Sequence, residues 1–471
     1  MPALTRPLLE QKIDLPPRQA VLAAETDVLV VGGGPAGFGA ALGAAAAGAR
    51  VILAERYGFF GGNATAALVA IFMSYHTEHH RQQTTGEHTL LPTDHGLGAP
   101  ITAGVLEQLV RRLVRAGGAI PPSLRTGYTV PLDPEIFKQV MQEMLDEAGV
   151  DYLHHALATG VLGGRLVEGV IFETKSGPLV IRARSVVDCT GDGDLAAQAG
   201  APFSMGRSDG RVQPMTLMFR MVDFERDAFA HYVKEHPDQW RGVHGLWELI
   251  RQATIAGDLE LPREDILFFA TPHPHELLVN STRIVKVRGT DVWDLTHAER
   301  QGRRQVRRIE AFLRRYVPGF AKAYVVQSGV QVGVRETRRI QGDYEITAED
   351  VLQGRKFDDA VARCTYPIDI HNPSGPGTIL QHVPAGEAYD IPLRALLPRR
   401  VEHLLVAGRP ISGTHEAHAS YRIMPTAIAT GQAAGVCAAF AAARRKSPRR
   451  IPAELVQREL LRQGADLRQI P

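Results

Sequence analysis

Six residues, Gly32-Gly-Gly-Pro-Ala-Gly37, stand between a short apolar run, Asp27-Val-Leu-Val-Val31, and an alanine-rich stretch with the composition of a packed helix. A second apolar run, Val51-Ile-Leu-Ala54, follows and ends on Glu55. Apolar runs of this length bounded by turn signals read as buried strands, so the segment predicts a β-α-β unit. Within it the glycines fill the G-x-G-x-x-G pattern. Gly32 permits the tight turn, Gly34 lets the backbone approach a pyrophosphate, and Gly37 lets the helix pack close to the strand. Pro35 and Ala36 open that helix, whose N-terminus stabilises phosphate charge. Glu55 is placed to accept hydrogen bonds from a ribose, with Arg56 beside it in the same expected site.

This motif alone does not separate FAD from NAD. The segment Gly61-Gly62-Asn63-Ala64-Thr65 comes directly after the acid and offers backbone N–H groups to a second diphosphate region, which favours FAD. A third element, Asp188-Cys-Thr190-Gly191-Asp192-Gly-Asp194, places a strand end and an acidic turn in the same sheet. A calcium loop is excluded there, because the twelve-residue ligand pattern is missing.

The fold class expected is α/β, a Rossmann-like FAD-binding domain with an interleaved α+β substrate domain. Residues 1–25 read as an irregular arm. The discontinuous FAD-binding domain takes 26–75, 133–200 and 395–445, the substrate or cap domain takes 76–132 and 201–394, and 446–471 form a C-terminal tail. Residues 104–116 and 133–148 have helical apolar spacing, the second capped by Asp133 with Pro134 at its first position. A basic helix is expected from about Thr296 to Tyr316, a strand at Leu404–Ala407 and a small-residue helix from Pro425 to Ala443. Fifty-three Lys and Arg against 51 Asp and Glu give a net charge of +2, so no global field favours nucleic acid or an anionic membrane. Three scattered cysteines, Cys189, Cys364 and Cys437, suit a reducing compartment, and no signal-like or membrane-spanning apolar segment is evident, which predicts a cytoplasmic protein.

Several long blocks occur in order: VVGGGPAGFGAALGAAAAGA, GFFGGNAT, VVDCTGDGDLAAQAGAPF, QVGVRETRRIQGDYEIT, FDDAVARCTYPIDIH and LLVAGRPISGTHEAHASYRIMPTAIATGQAAG. In these the chain resembles the FAD-dependent oxidoreductase family, within the broad fumarate reductase and glutathione-reductase-like flavoprotein group, from about Asp27 to Ala443. The resemblance implies that Gly408, Arg409 and Arg422-Ile423-Met424 close over the flavin. It also implies that the helix from Pro425 is aimed at the pyrimidine side, where its N-terminus would favour the charge of reduced flavin. The small residues of that helix have an ordinary packing explanation.

The candidate catalytic residues are His371, His415, Arg335 and Tyr421. A flavin oxidation needs a group to take a proton while hydride moves to N5, and histidine has the suitable ordinary pKa. Each histidine has an equal alternative as a hydrogen-bonded orienter of its loop, and Arg335 is either a clamp for a substrate carboxylate or phosphate or one half of a salt bridge with Glu336 or Asp343. His76, His79, His80, His88 and His95 crowd a segment, 77–100 for the most part, that departs from the family pattern. Their spacing matches no metal motif, so no metal is expected and a polar loop at the active-site entrance is the better reading. The expected function is oxidation of a small polar organic substrate by hydride transfer to non-covalent FAD. Reduction of an activated alkene is the first alternative, and a flavin-containing RNA-modifying or RNA-binding protein is one of another class. The expected partners are the small-molecule substrate and an electron acceptor of unknown kind, with no nucleic acid or membrane and a homo-oligomer left open.

Overall fold

In the computed structural model, residues 13–77, 90–91, 98–372 and 377–467 are described. Val21–Val31 is the central strand of a seven-stranded sheet, with Val51–Ala54 and then Asp151–Leu153 parallel to it on one side. On its other side lies the long strand Gly177–Asp188, also parallel. That strand shares its far edge between the antiparallel meander Gly169–Thr174 and Leu157–Leu162 and, near its end, the parallel strand Leu404–Val406. The first strand begins inside the segment expected to be an irregular arm. Val21–Glu25 is mostly exposed and held by backbone pairing with residues 179–182, so it carries no burial pattern that a sequence could show.

Helix Pro35–Ala46 follows the glycine turn and packs along helix Met424–Arg444 with almost no side chain between them. A Cβ at Gly39 would lie 2.2 Å from the Ile428 carbonyl oxygen, and one at Gly435 would lie 2.0 Å from that of Ala40. This backbone contact brings both helix N-termini to the same end of the sheet. Met424–Arg444 is long and apolar enough to cross a membrane, but 83% of its apolar window is buried inside the protein, as for a core helix. Helix Pro134–Glu147 starts as the sequence predicts, with Asp133 Oδ1 accepting from the N–H groups of Glu135 and Ile136 at 2.7 and 3.0 Å.

A second, antiparallel sheet runs in the order Trp240–Arg241, His244–Gly245, Ile266–Ala270, Leu277–Val279, Phe219–Val222, Tyr324–Ser328. Helix Val292–Tyr316 covers it, and Phe224, Phe229, Trp240, Phe268 and Phe320 form its aromatic core. The hydrophobic cores divide differently from the spans expected. Residues of 340–406, and of the helix Val105–Arg115, belong to the nucleotide-sheet core, whereas Leu90–Leu91 and most buried residues of 215–334, Met218, Val243, Phe269 and Leu278 apart, form the second. The apolar face of Val105–Arg115 meets the small-residue surface of Pro35–Ala46 and Met424–Arg444, a fit that periodicity alone cannot assign. The expected tail contains the helix Ala453–Arg462, whose Val456 and Leu460 are buried against the same core.

Candidate functional site

The glycine turn, the acid loop and the C-terminal helix meet around a cavity of about 260 Å³. Gly32, Gly34, Pro35 and Ala36 form one wall of it. Gly32 has φ +100°, and a Cβ there would lie 2.3 Å from the Cys189 carbonyl oxygen; one at Gly37 would lie 1.7 Å from that of Gly32. Both glycines are therefore required by the protein itself, and Gly37 packs behind the wall. Gly34 differs. Its φ is −76°, and an added Cβ would come no closer to protein than 3.6 Å, at Gly62 Cα. The space this glycine keeps open faces the cavity, at a helix N-terminus, which is where a diphosphate fits.

Glu55 lines the cavity with both oxygens engaged: Oε2 accepts from Gly33 N at 2.6 Å and Oε1 from Tyr57 N at 2.9 Å. Burial pushes its carboxyl up, and those two N–H groups pull it back. The acid thus ties the glycine turn to its own loop, besides offering its remaining lone pairs to a ribose. Arg56, Gly62 and Asn63 line the same space. Gly61 supports them by donating its N–H to the Gly33 carbonyl at 2.8 Å, while Ala64 and Thr65 are buried beneath, Thr65 Oγ1 donating to Phe60 O at 2.9 Å.

Thr190, Gly191 and Asp192 close another wall. Their turn is organised by Asp188, whose Oδ1 accepts from the Thr190 hydroxyl at 2.7 Å and Oδ2 from Ala196 N at 3.0 Å. Burial pushes Asp188 up to about 6 against those bonds. Gly408 and Arg409 complete the cavity; Arg409 Nη2 donates to Asp192 at 3.2 Å, and its Nη1 is buried with no partner. Backbone donors, two helix N-termini and an orphaned guanidinium nitrogen around a cleft fit FAD, with Gly34, Glu55 and Gly62 to hold its adenosine diphosphate portion.

A second cavity, about 570 Å³, shares Val334, Arg409, Arg422 and Met424 with the first. Ile423 faces it alone. Arg335 and His371 both line it. Arg335 donates from Nη1 to Pro214 O at 2.8 Å and to Thr216 Oγ1 at 2.5 Å, and it forms no ion pair with Glu336 or Asp343. Burial and the neighbouring Arg422 push its pKa down to about 9, against the pull of Asp369. His371 Nε2 lies 3.3 Å from Asp369 Oδ2, and its Nδ1 lies 3.3 Å from Thr378 Oγ1. Burial pushes the imidazole down to about 4; Asp369 opposes this and Arg335 adds to it. Asp369 also accepts from Tyr366 at 2.9 Å and Arg422 at 3.2 Å. Burial alone would raise its carboxyl, but His371, Arg422 and Tyr366 hold it well below the usual range.

The structure does not bring His415 or Tyr421 to either cavity. His415 is buried behind the wall, with Nδ1 2.9 Å from Glu336 Oε1, and Tyr421 donates to Ile411 O at 2.9 Å. Tyr421 holds the turn at Ile411–Thr414, where its ring fills the space a Cβ at Gly413 would need. Sequence reasoning passed over Tyr57, Gln331 and Tyr366, though the last two lie inside the blocks it singled out. Of the histidine-rich segment, His76 is buried, stacked on Tyr128 at 3.9 Å and bonded to Gly98 O at 3.0 Å; His79, His80, His88 and His95 lie outside the described residues. Among the described residues no three His, Cys, Asp or Glu side chains gather as metal ligands, and the three cysteines are free and buried.

No curated protein matches the chain. Among solved structures it is similar to a geranylgeranyl bacteriochlorophyll reductase-like protein from Thermoplasma acidophilum, at 13% identity over 94% of this chain and 84% of that one, TM-score 0.46. It is also similar to a myxobacterial chondrochloren halogenase, at 13% identity over 93% and 79%, TM-score 0.44. A third likeness is the anhydrotetracycline hydroxylase of Streptomyces rimosus, at 14% identity over 93% and 66%, TM-score 0.41. The family model for FAD dependent oxidoreductases matches residues 27–460, and the chain belongs to that family, an enzyme with FAD as its cofactor.

Proposed function

We propose that this enzyme oxidises a small polar organic anion, with His371 as the base and Arg335 as the anion clamp. The observation that carries the reading is the wall common to the two cavities, with Arg335 and His371 on the side away from the glycine turn. When bound, FAD supplies a two-electron acceptor that takes hydride at N5. Everything else is work for the side chains. Ionised Asp369 is an acceptor only, so it fixes the His371 proton on Nε2 and leaves the lone pair on Nδ1, beside the Thr378 hydroxyl on the cavity wall. A substrate hydroxyl or amine replacing that 3.3 Å contact would give its proton to Nδ1. Arg335 keeps N–H groups beyond its two Nη1 bonds for a carboxylate, which would offset the burial of its charge. The N-terminus of the helix Met424–Arg444 opens on the shared wall, where its dipole favours negative charge developing on the cofactor.

The test is anaerobic single-turnover reduction at saturating substrate, with the substrate found by flavin bleaching across a panel of organic acids. His371→Asn is expected to slow reduction by roughly 10²- to 10⁴-fold with normal FAD content. A near-normal rate would remove His371 from the chemistry. Acid precipitation is expected to release intact FAD into the supernatant; flavin left in the pellet would mean a covalent bond.

A further inference from the structure

The second cavity extends away from the wall it shares with the first, and its far end is built by other residues. The hairpin Trp240–Arg241 and His244–Gly245 brings Arg241 and His244 to it, and Arg263 and Asp265 stand beside them. The hairpin is firmly seated. Trp240 packs in the aromatic core, edge-on to Phe229 at 5.0 Å and 4.6 Å from Phe268, and a Cβ at Gly245 would lie 2.1 Å from the Gln239 carbonyl oxygen. Asp265 Oδ2 lies 2.9 Å from His244 Nδ1, and Oδ1 accepts from Arg263 Nη2 at 2.9 Å. Against the burial that would raise it, these partners hold Asp265 at about 2. Asp265 is then an acceptor that keeps a proton on Nδ1 and turns Nε2 of His244 outward from the pair.

Charge pairing separates the two ends of the cavity. Arg422 is paired with Asp369, Arg409 with Asp192 and Arg263 with Asp265. Two lining arginines have no acidic group within ion-pair distance among the described residues: Arg335 near the shared wall, where Asp369 acts on it only at longer range, and the exposed Arg241 at the far end, where its guanidinium lies 5.5 Å from the Trp247 ring centroid. A single anionic group would answer only one of them. We propose that the far end is a second anion subsite, in which Arg241 and the doubly protonated ring of His244, donating from Nε2, hold a terminal carboxylate or phosphate of a substrate whose other acidic group lies on Arg335. This deepens the reading of Arg335 as a clamp and rests on it. It makes the substrate a doubly anionic molecule whose length, rather than its reacting carbon, is measured by the hairpin.

The experiment titrates the FAD-loaded enzyme and follows the visible flavin spectrum. The probes are straight-chain monocarboxylates, the α,ω-dicarboxylates and the ω-phosphonocarboxylates of matched length. At one chain length a doubly charged probe is expected to bind about tenfold or more tightly than its monocarboxylate, and the series that shows this names the terminal group. Arg241→Gln and His244→Asn are expected to erase that preference while changing the monocarboxylate Kd less than about threefold. Equal binding of singly and doubly charged probes at every length overturns the subsite and leaves the clamp standing, as does a preference that survives in the double variant. If no probe perturbs the flavin, or Arg335→Gln leaves monocarboxylate binding unchanged, the clamp falls and the subsite with it.

Discussion

The two cavities share a wall but are made of different materials. The first cavity is rich in glycine, at 32, 34, 62, 191, 289 and 408, which brings backbone to its surface between side chains such as Glu55, Arg56 and Asp192. The second cavity carries arginine, histidine, aspartate and tyrosine on segments as distant as Thr216, His244, Arg335 and Tyr366. Backbone recognition needs a fixed φ/ψ sequence and therefore a contiguous motif, whereas side-chain recognition needs only convergence in space. That difference sets which variants damage the protein and which damage only its chemistry.

The sharpest way to break the comparison is a pair of single alanine substitutions at alternate positions of the turn. Gly32→Ala forces a residue at φ +100° and drives Cβ to 2.3 Å from the Cys189 carbonyl oxygen, so it is expected to cost about 3 kcal/mol or more and to yield little folded, flavin-loaded enzyme. Gly34→Ala meets neither obstacle. Its apoprotein is expected to melt within about 2 °C of the parent while FAD affinity falls about tenfold or more, since only the ligand needs that space. Thermal melts of stripped protein and FAD titration check both; equal destabilisation by the two would mean that the turn, not the diphosphate, demands Gly34.

Acid should separate the cavities next. His371 is pushed down to about 4, chiefly by burial, so in the free enzyme the base is neutral above that pH and becomes protonated below it. The value of kcat/KM is expected to stay level from neutrality down to about pH 5 and then drop about tenfold per unit below about 4, measured by pH-jump stopped flow before FAD is lost. A limb near 6.5 instead would point to an unperturbed histidine as the base.

How much of this could be read from the chain follows the same division. The strand at 27–31, the glycine turn, Glu55, the cap at Asp133 and the helix from 424 all have local signatures, and the structure places them as their spacing predicts. The extension of the first strand to Val21 has none, because it is exposed and held by backbone alone. Of the candidate catalytic residues, His371 and His415 looked alike: each is a histidine near an acid in a conserved-looking block of mixed polarity. They separate only in three dimensions, since His371 lines the second cavity while His415 is turned to Glu336. His244 carried no signal, because its partner Asp265 lies 21 residues away across a strand pair, and Arg241 reaches the cavity only through the hairpin it shares with His244.

His415 offers a smaller effect of opposite kind. Its Nδ1 serves Glu336, which also holds Arg339 and accepts from Gln213 N at 3.0 Å. His415→Gln is expected to cost about 1–3 kcal/mol in denaturant unfolding by leaving a buried carboxylate short of a donor, with flavin reduction changed less than about fivefold. A loss of reduction comparable to that of His371→Asn would place His415 in the chemistry after all.

The smallest effect expected lies where the two regions touch. Gln331, from the loop after the last strand of the antiparallel sheet, reaches over the acid loop and accepts from Arg56 Nη2 at 2.9 Å and from the Tyr57 hydroxyl, while its N–H is donated to Ala66 O at 3.2 Å. All three side chains line the cofactor cavity beside Glu55. They form a clasp across the cavity beside Glu55 that belongs to neither core alone. Gln331→Ala removes the side-chain acceptor but keeps the backbone bond, so folding should hold and only the clasp should loosen. One lost hydrogen-bonding partner at a partly exposed site is worth about 0.5–1.5 kcal/mol, which is roughly 2- to 12-fold in a dissociation rate. The expected result is FAD release accelerated by that factor in a dilution experiment read by the rise in free-flavin fluorescence, with single-turnover reduction unchanged. Release as slow as in the parent would show that the glycine turn and Glu55 retain the cofactor without help from the second sheet; release faster by a hundredfold would mean that Gln331 holds the loop of Glu55 in place rather than merely bridging it.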